Sequence, residues 1–204
     1  MLPKSLPLKL LVVFGIVAVF WFTFLNQSEA PGVVTVPVRS LVAAPGANEP
    51  TNPILSLSFD DDPANGATDN TGANSSVCSA GRCPTWTADR AGLANHAYSF
   101  DGTVGLDVSN EAAFDFDRTS SFTLAALVKR STGVRYQAII AKGIVPSAAY
   151  TGFIFGLNSA GNKLKLDLIG ANSGGRLYAE NITNINDGIW HHVAATYNGS
   201  GAAS

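Results

Sequence analysis

The chain is poor in charge, in cysteine and in helical periodicity. Only 14% of its 204 residues are charged, thirteen Lys and Arg against fifteen Asp and Glu. A nucleic-acid binder carries a basic excess gathered on one element; these bases are scattered, so nucleic acid is excluded as a partner. With 46% hydrophobic residues the chain can offset its ordering entropy by burial, which excludes wholesale disorder. A structural zinc site needs two more good ligands near the two cysteines in sequence, and these are missing. No window after residue 30 holds a sustained 3.6-residue apolar stripe, so crossover helices and a parallel sheet have no support. Nucleophile-elbow, glycine-rich phosphate-loop and His-Glu-x-x-His sequences are also missing beyond that point, and there is no internal repeat.

What is present divides the chain into three. Residues 1–30 contain an uncharged run from Leu10 to Leu25, preceded by Lys4 and Lys9. As a helix this run spans roughly 24 Å, a minimal membrane crossing once Lys9 snorkels. The reading is a signal peptide or membrane anchor, single-pass, with the amino terminus cytoplasmic and everything after Leu25 extracytoplasmic. Ser28-Glu29-Ala30 offers a cleavage triplet, but Pro31 follows it and disfavours the cut. An uncleaved anchor is therefore expected, with a secreted domain as the alternative. Residues 31–53 hold five prolines and read as an extended linker.

From Ile54 onward the pattern is short alternating apolar runs separated by Gly, Asn, Asp and Ser, as in an all-β sandwich. The runs are Ile54 to Asp60, His96 to Asp101, Val104 to Val108, Ser121 to Lys129, Tyr136 to Lys142, Thr151 to Leu157, Lys163 to Ile169 and Trp190 to Tyr197, with a weaker one at Arg176 to Ile182. Phe122, Leu124, Ala126 and Val128 share one face, as do Leu164, Leu166 and Leu168, while Lys163, Lys165 and Asp167 face out. Phe59, Phe100, Phe122, Phe153, Phe155, Trp86 and Trp190 are the expected core aromatics.

Two stretches carry a resemblance: Ala97-Tyr98-Ser99-Phe100-Asp101-Gly102, and Asp187-Gly188-Ile189-Trp190-His191-His192-Val193-Ala194-Ala195-Thr196-Tyr197-Asn198-Gly199. Together they resemble the laminin-G-like domains of the concanavalin A-like lectin/glucanase superfamily. The resemblance implies an antiparallel two-sheet jelly-roll sandwich over 54–204. In that family further closing strands follow the tyrosine and glycine turn, so C-terminal strands are expected beyond Ser204.

Adjacent residues on a strand point to opposite faces, so His191 and His192 cannot share a metal ion. Cys78 and Cys83 enclose four residues in an exported chain and are expected to pair. The acidic residues Asp60, Asp61, Asp62, Asp69, Asp101 and Asp107 could supply oxygens to calcium, a possibility that the resemblance raises; Asp101, Asp62 and Asp60 are the metal candidates. Asn74, Asn181 and Asn198 open glycosylation sequons. Glucanases of the superfamily need paired carboxylates, yet neither Glu111 nor Glu180 lies in such a motif. The expectation is an exported, membrane-tethered, non-catalytic recognition module whose first-guess ligand is a glycan, with Tyr136, Tyr150 and Tyr178 as ligand contacts. The alternatives are a structural or adhesive module binding a cell-surface protein, and a fragment of a glycoside hydrolase with its catalytic residues elsewhere.

Overall fold

The computed structural model describes residues 8–10, 16–23, 38–39, 53–79, 82–117, 119–130, 136–143, 151–158, 160, 162–170 and 175–200. In chain order the strands are β1 (Leu8–Leu10), β2 (Ile16–Thr23), β3 (Val38–Arg39), β4 (Ser56–Leu57), β5 (Ser76–Cys78), β6 (Thr85–Thr87), β7 (Ala97–Phe100), β8 (Leu106–Val108), β9 (Phe122–Arg130), β10 (Gln137–Gly143), β11 (Gly152–Leu157), β12 (Lys163–Ile169), β13 (Arg176–Asn184) and β14 (Trp190–Tyr197). One sheet runs β13-β12-β11-β10-β1-β8-β5 and the other β3-β14-β9-β2-β7-β6, with β4 paired to β2. The ladders joining them are antiparallel, as the lack of crossover helices requires.

Two-residue alternation decides which face meets the core. On β9, Phe122, Leu124, Ala126 and Val128 are buried while Lys129 is exposed. Their register partners on β14 are Tyr197, Ala195, Val193 and His191, all buried as well. From the facing sheet come Phe153, Phe155, Leu164 and Leu166. Phe116 stacks on Phe122 at 4.7 Å and on Phe153 at 5.7 Å, so one ring pins the two sheets together. At the other end Phe59 stacks on Tyr98 at 4.6 Å. Such aromatic pairs add about 0.5–1.5 kcal/mol beyond their buried area.

All nine runs expected as strands contain one. The three-residue β5 and β6 were not anticipated; each is too short to show a period. Trp190 was expected in the core but is half-buried on the face opposite His191, because the Asp187-Gly188 turn starts β14 with His191, Val193, Ala195 and Tyr197 pointing in. The expected amino-terminal helix is a second difference. The described part of the apolar run is strand: β2 pairs through all eight residues with Thr123 to Arg130 of β9. Ile-Val-Ala-Val-Phe-Trp-Phe-Thr is rich in β-branched and aromatic residues, which suit a pleated sheet with neighbours on both sides. Among the described residues no helix is long and apolar enough to cross a membrane. Part of the expected linker, Val38–Arg39, is likewise strand and pairs with β14. Closing strands expected past Ser204 lie outside the described residues.

Candidate functional site

The face of β10 to β13 turned away from the core gathers the most chemistry. Residues 170 to 175 connect β12 to β13, with the Gly170 amide donating to the Gly175 carbonyl at 3.0 Å. This hairpin sets Asp167 opposite Tyr178 and Lys165 opposite Glu180. Alternation then puts all four on one face, together with Arg176 two residues before Tyr178.

Asp167 is only 2% exposed although it points away from the core, because cations cover it. Its Oδ1 accepts from Arg176 Nε and Nη2, both at 2.8 Å, and its Oδ2 lies 3.3 Å from Lys165 Nζ. Lys165 Nζ also sits 4.8 Å from the Tyr178 ring centroid, and Arg176 Cζ sits 5.5 Å from it. Two cations at those distances hold the ring by its electron-rich face. Tyr178 still leaves 61% of its surface to solvent. Tyr136 leaves 43% exposed, and burial pushes its hydroxyl up to about 12; the Asp167 carboxylate adds to the rise and Arg176 opposes it. Asn158 completes the rim by donating to Glu180 Oε1 at 3.1 Å. The result is two exposed tyrosines around a fixed set of donors and acceptors.

Of the expected ligand contacts, Tyr136 and Tyr178 are thus brought near the same Asp167–Arg176 pair, while Tyr150 lies outside the described residues. Lys165, Asp167 and Arg176 were not anticipated as site residues. The signal available in the sequence was the outward face of Lys163, Lys165 and Asp167, but its pairing with Arg176 depends on the hairpin register.

The calcium candidates lie elsewhere, on loops around β4 and β7, and do not converge. Asp60 Oδ1 is 2.7 Å from His96 Nδ1. Asp62 Oδ1 accepts from the Ala64 amide at 3.0 Å and caps the short 3-10 turn Pro63–Asn65. Asp101 Oδ1 accepts from the Thr103 amide at 2.8 Å and its hydroxyl at 2.9 Å, which hold its carboxyl below the usual range. Asp69 is buried and serves a loop of its own. Among the described residues no group of three or more His, Cys, Asp or Glu is placed to hold a metal ion. Calcium takes six to eight oxygens; of the candidates, Asp62 and Asp101 each accept from their own turn, while Asp60 faces His96.

Cys78 and Cys83 are disulfide-bonded, with Cα atoms 4.8 Å apart. His191 Nε2 lies 2.9 Å from Asp187 Oδ1, and Asp187 also accepts from the Ile189 amide, so the Asp-Gly-x-Trp-His sequence is a turn staple. Two sequons are closed by the fold. Asn74 is 1% exposed and donates to the Ile54 carbonyl; Asn181 is 8% exposed and stands in for backbone at a ladder irregularity, accepting from the Leu164 amide at 2.7 Å.

Two packed antiparallel sheets with a polar, aromatic outer face define a sandwich of the lectin-like class. The family profile Laminin_G_3, of the concanavalin A-like lectin/glucanases superfamily, matches residues 100–204, and the chain belongs to that family. The match spans β8 to β14 and so includes the whole tyrosine face. No curated protein and no solved structure matches the chain.

Proposed function

We propose that the domain is a non-catalytic recognition module that binds a glycan on the outer face of β10 to β13. The observation that carries this reading is the Tyr136 and Tyr178 pair beside a clamped Lys165–Asp167–Arg176 set. The flat C–H face of a sugar ring stacks on exposed tyrosine, and hydroxyls need donors and acceptors already held in place. Both Asp167 oxygens are engaged by cations, so neither is turned toward a bound sugar. The sequence also partitions its charge. Residues 54–117 hold ten acids and two bases, residues 118–186 two acids and eight bases, so the calcium candidates and the tyrosine face fall in opposite halves. Calcium therefore enters the proposal only as a separate variable.

Export belongs to the same proposal. It rests on Lys4 and Lys9 ahead of the apolar run and on the disulfide, a bond of oxidising compartments. Tethering by residues 10–25 and the β2 strand are exclusive uses of one segment. Cysteines at the register partners Val19 and Leu127 should cross-link if the strand is kept; carbonate-resistant membrane retention without cross-linking would assign the segment to the bilayer.

The binding test is a glycan array probed with the full chain, with calcium and with chelator. At least one glycan should be retained, and Tyr178→Ala and Tyr136→Ala should each weaken it by about tenfold, equivalent to ~1.4 kcal/mol. An array with no hit in either condition, or hits indifferent to both substitutions, would refute the reading and favour a protein-binding adhesive module.

A further inference from the structure

We propose that the free edge of β13 pairs with β13 of a second copy of this chain, antiparallel and centred on Tyr178. This does not rest on the glycan reading.

Strand β13 runs nine residues without proline and ends its sheet, pairing only with β12 among the described residues. A strand in that position presents unpaired backbone groups to whatever approaches. Which groups they are follows from the hairpin. The Gly170 amide donates to the Gly175 carbonyl, and hydrogen-bonded pairs recur every second residue in an antiparallel ladder. Leu177 and Ala179 therefore direct their amides and carbonyls toward β12, opposite Leu168 and Leu166. The donation from the Leu164 amide to Asn181 Oδ1 fits the same parity. Arg176, Tyr178 and Glu180 consequently aim theirs at the open edge.

Two-fold pairing must match these outward residues with one another, which leaves axes at Arg176, Leu177, Tyr178, Ala179 or Glu180; the Leu177 and Ala179 axes set no charge opposite a charge. Centring on Arg176 sets Arg176 against its own copy, and centring on Glu180 sets two glutamates face to face. Centring on Tyr178 sets Arg176 opposite Glu180 of the other copy, twice, with the tyrosines adjacent at the axis. Like charges directly opposite destabilise a ladder and unlike charges stabilise it, so charge selects the Tyr178 axis. Arg176 has 51% of its side chain exposed despite its bonds to Asp167, which leaves guanidinium surface for the partner carboxylate. The two tyrosine faces then join into one continuous surface.

The test is light-scattering mass of the full 21.2 kDa chain across a concentration series. The mass should rise toward twice the monomer value. Glu180→Arg alone and Arg176→Glu alone should each stay monomeric, while their equimolar mixture should regain the doubled mass, since each ladder position then pairs opposite charges. As a check that needs no charge change, Tyr178→Cys should oxidise to a disulfide-linked dimer. A wild-type chain monomeric throughout, a Glu180→Arg chain that still dimerises, or a Tyr178→Cys chain that fails to cross-link would each overturn the proposal.

Discussion

Removing the Asp69 carboxylate should unfold the first loop of the sandwich at a cost that the structure allows to be worked out. Asp69 is 1% exposed. Its Oδ1 accepts from the Ser56 amide at 2.9 Å and the Thr71 amide at 3.0 Å; its Oδ2 accepts from the Asn74 amide at 2.9 Å and from the Thr71 hydroxyl. Ser56 and Asn74 are 3% and 1% exposed, so in Asp69→Ala their amides find no water in place of the lost oxygen. A buried donor left unsatisfied costs about 1–3 kcal/mol, which puts the substitution near 4 kcal/mol. Asp69→Asn keeps one acceptor oxygen but turns an NH2 toward two donors, and should cost about half as much. For a domain of this size 1 kcal/mol moves Tm by roughly 2–4 °C, so Asp69→Ala should melt about 10 °C low in a calorimetric scan. The pH dependence follows separately. Burial alone would raise this carboxyl, but the Thr71 hydroxyl and the Ser56, Thr71 and Asn74 amides together hold it below its ordinary value of 3.8. A depressed carboxyl contributes stability that is present above 3.8 and lost as pH falls through the folded value. The wild-type Tm should therefore drop below about pH 3.8, and the Asp69→Asn curve should be flatter there. An Asp69→Ala shift under about 3 °C, or an unchanged acid limb in Asp69→Asn, would refute the reasoning.

Other expectations can be checked on the same instruments. Lys142, 5% exposed, bonds Asp115 and the Glu111 carbonyl beneath the short 3-10 turn Glu111–Phe114; Lys142→Met should strand the carboxylate and lower stability by about 2–3 kcal/mol in urea melts. Gly156→Ala would place a Cβ 2.1 Å from the Gln137 carbonyl at the β10 irregularity, so the variant should lose more than about 2 kcal/mol and disturb the neighbouring Tyr136. His192 is held below 6.5, first by burial and then by Arg90, so it favours the unfolded state as pH falls through that range; His192→Gln should lessen the loss of Tm between pH 7 and pH 5.

The sandwich was legible in the sequence wherever alternation ran long enough to repeat. Leu164, Leu166 and Leu168 against Lys163, Lys165 and Asp167 fix the two faces of β12 without help from any neighbour. Ser76–Cys78 and Thr85–Thr87 offered no such signal, since three residues hold barely one period. Trp190 shows a different failure. Its size argued for the core, but the Asp187 turn and its contact with His191 set the parity of β14, and parity outranks size on a strand. The site divides the same way. Exposed tyrosines could be chosen from pattern, whereas the Asp167 clamp requires knowing that Arg176 returns beside it, a fact of hairpin register.

The fate of the amino-terminal run follows from the slot it occupies. Strand β9 is flanked by β14 on one side and β2 on the other, and β2 also holds β7 and β4 through shorter ladders. Withdrawing β2 would leave the outward amides and carbonyls of Thr123 to Arg130 without partners in the middle of a sheet, where each buried orphan costs about 1–3 kcal/mol. Alternate residues of the eight aim both groups at β2, so the eight backbone groups left exposed involve a cost comparable with the whole stability of an ordinary domain, about 5–15 kcal/mol. The sandwich thus requires a strand at this place at all times, and a chain that commits residues 16–23 to a bilayer must fill the slot from another source before its tyrosine face can form. Because β10 to β13 lie in the opposite sheet, the tyrosine face reports on that choice only through the core that both sheets share.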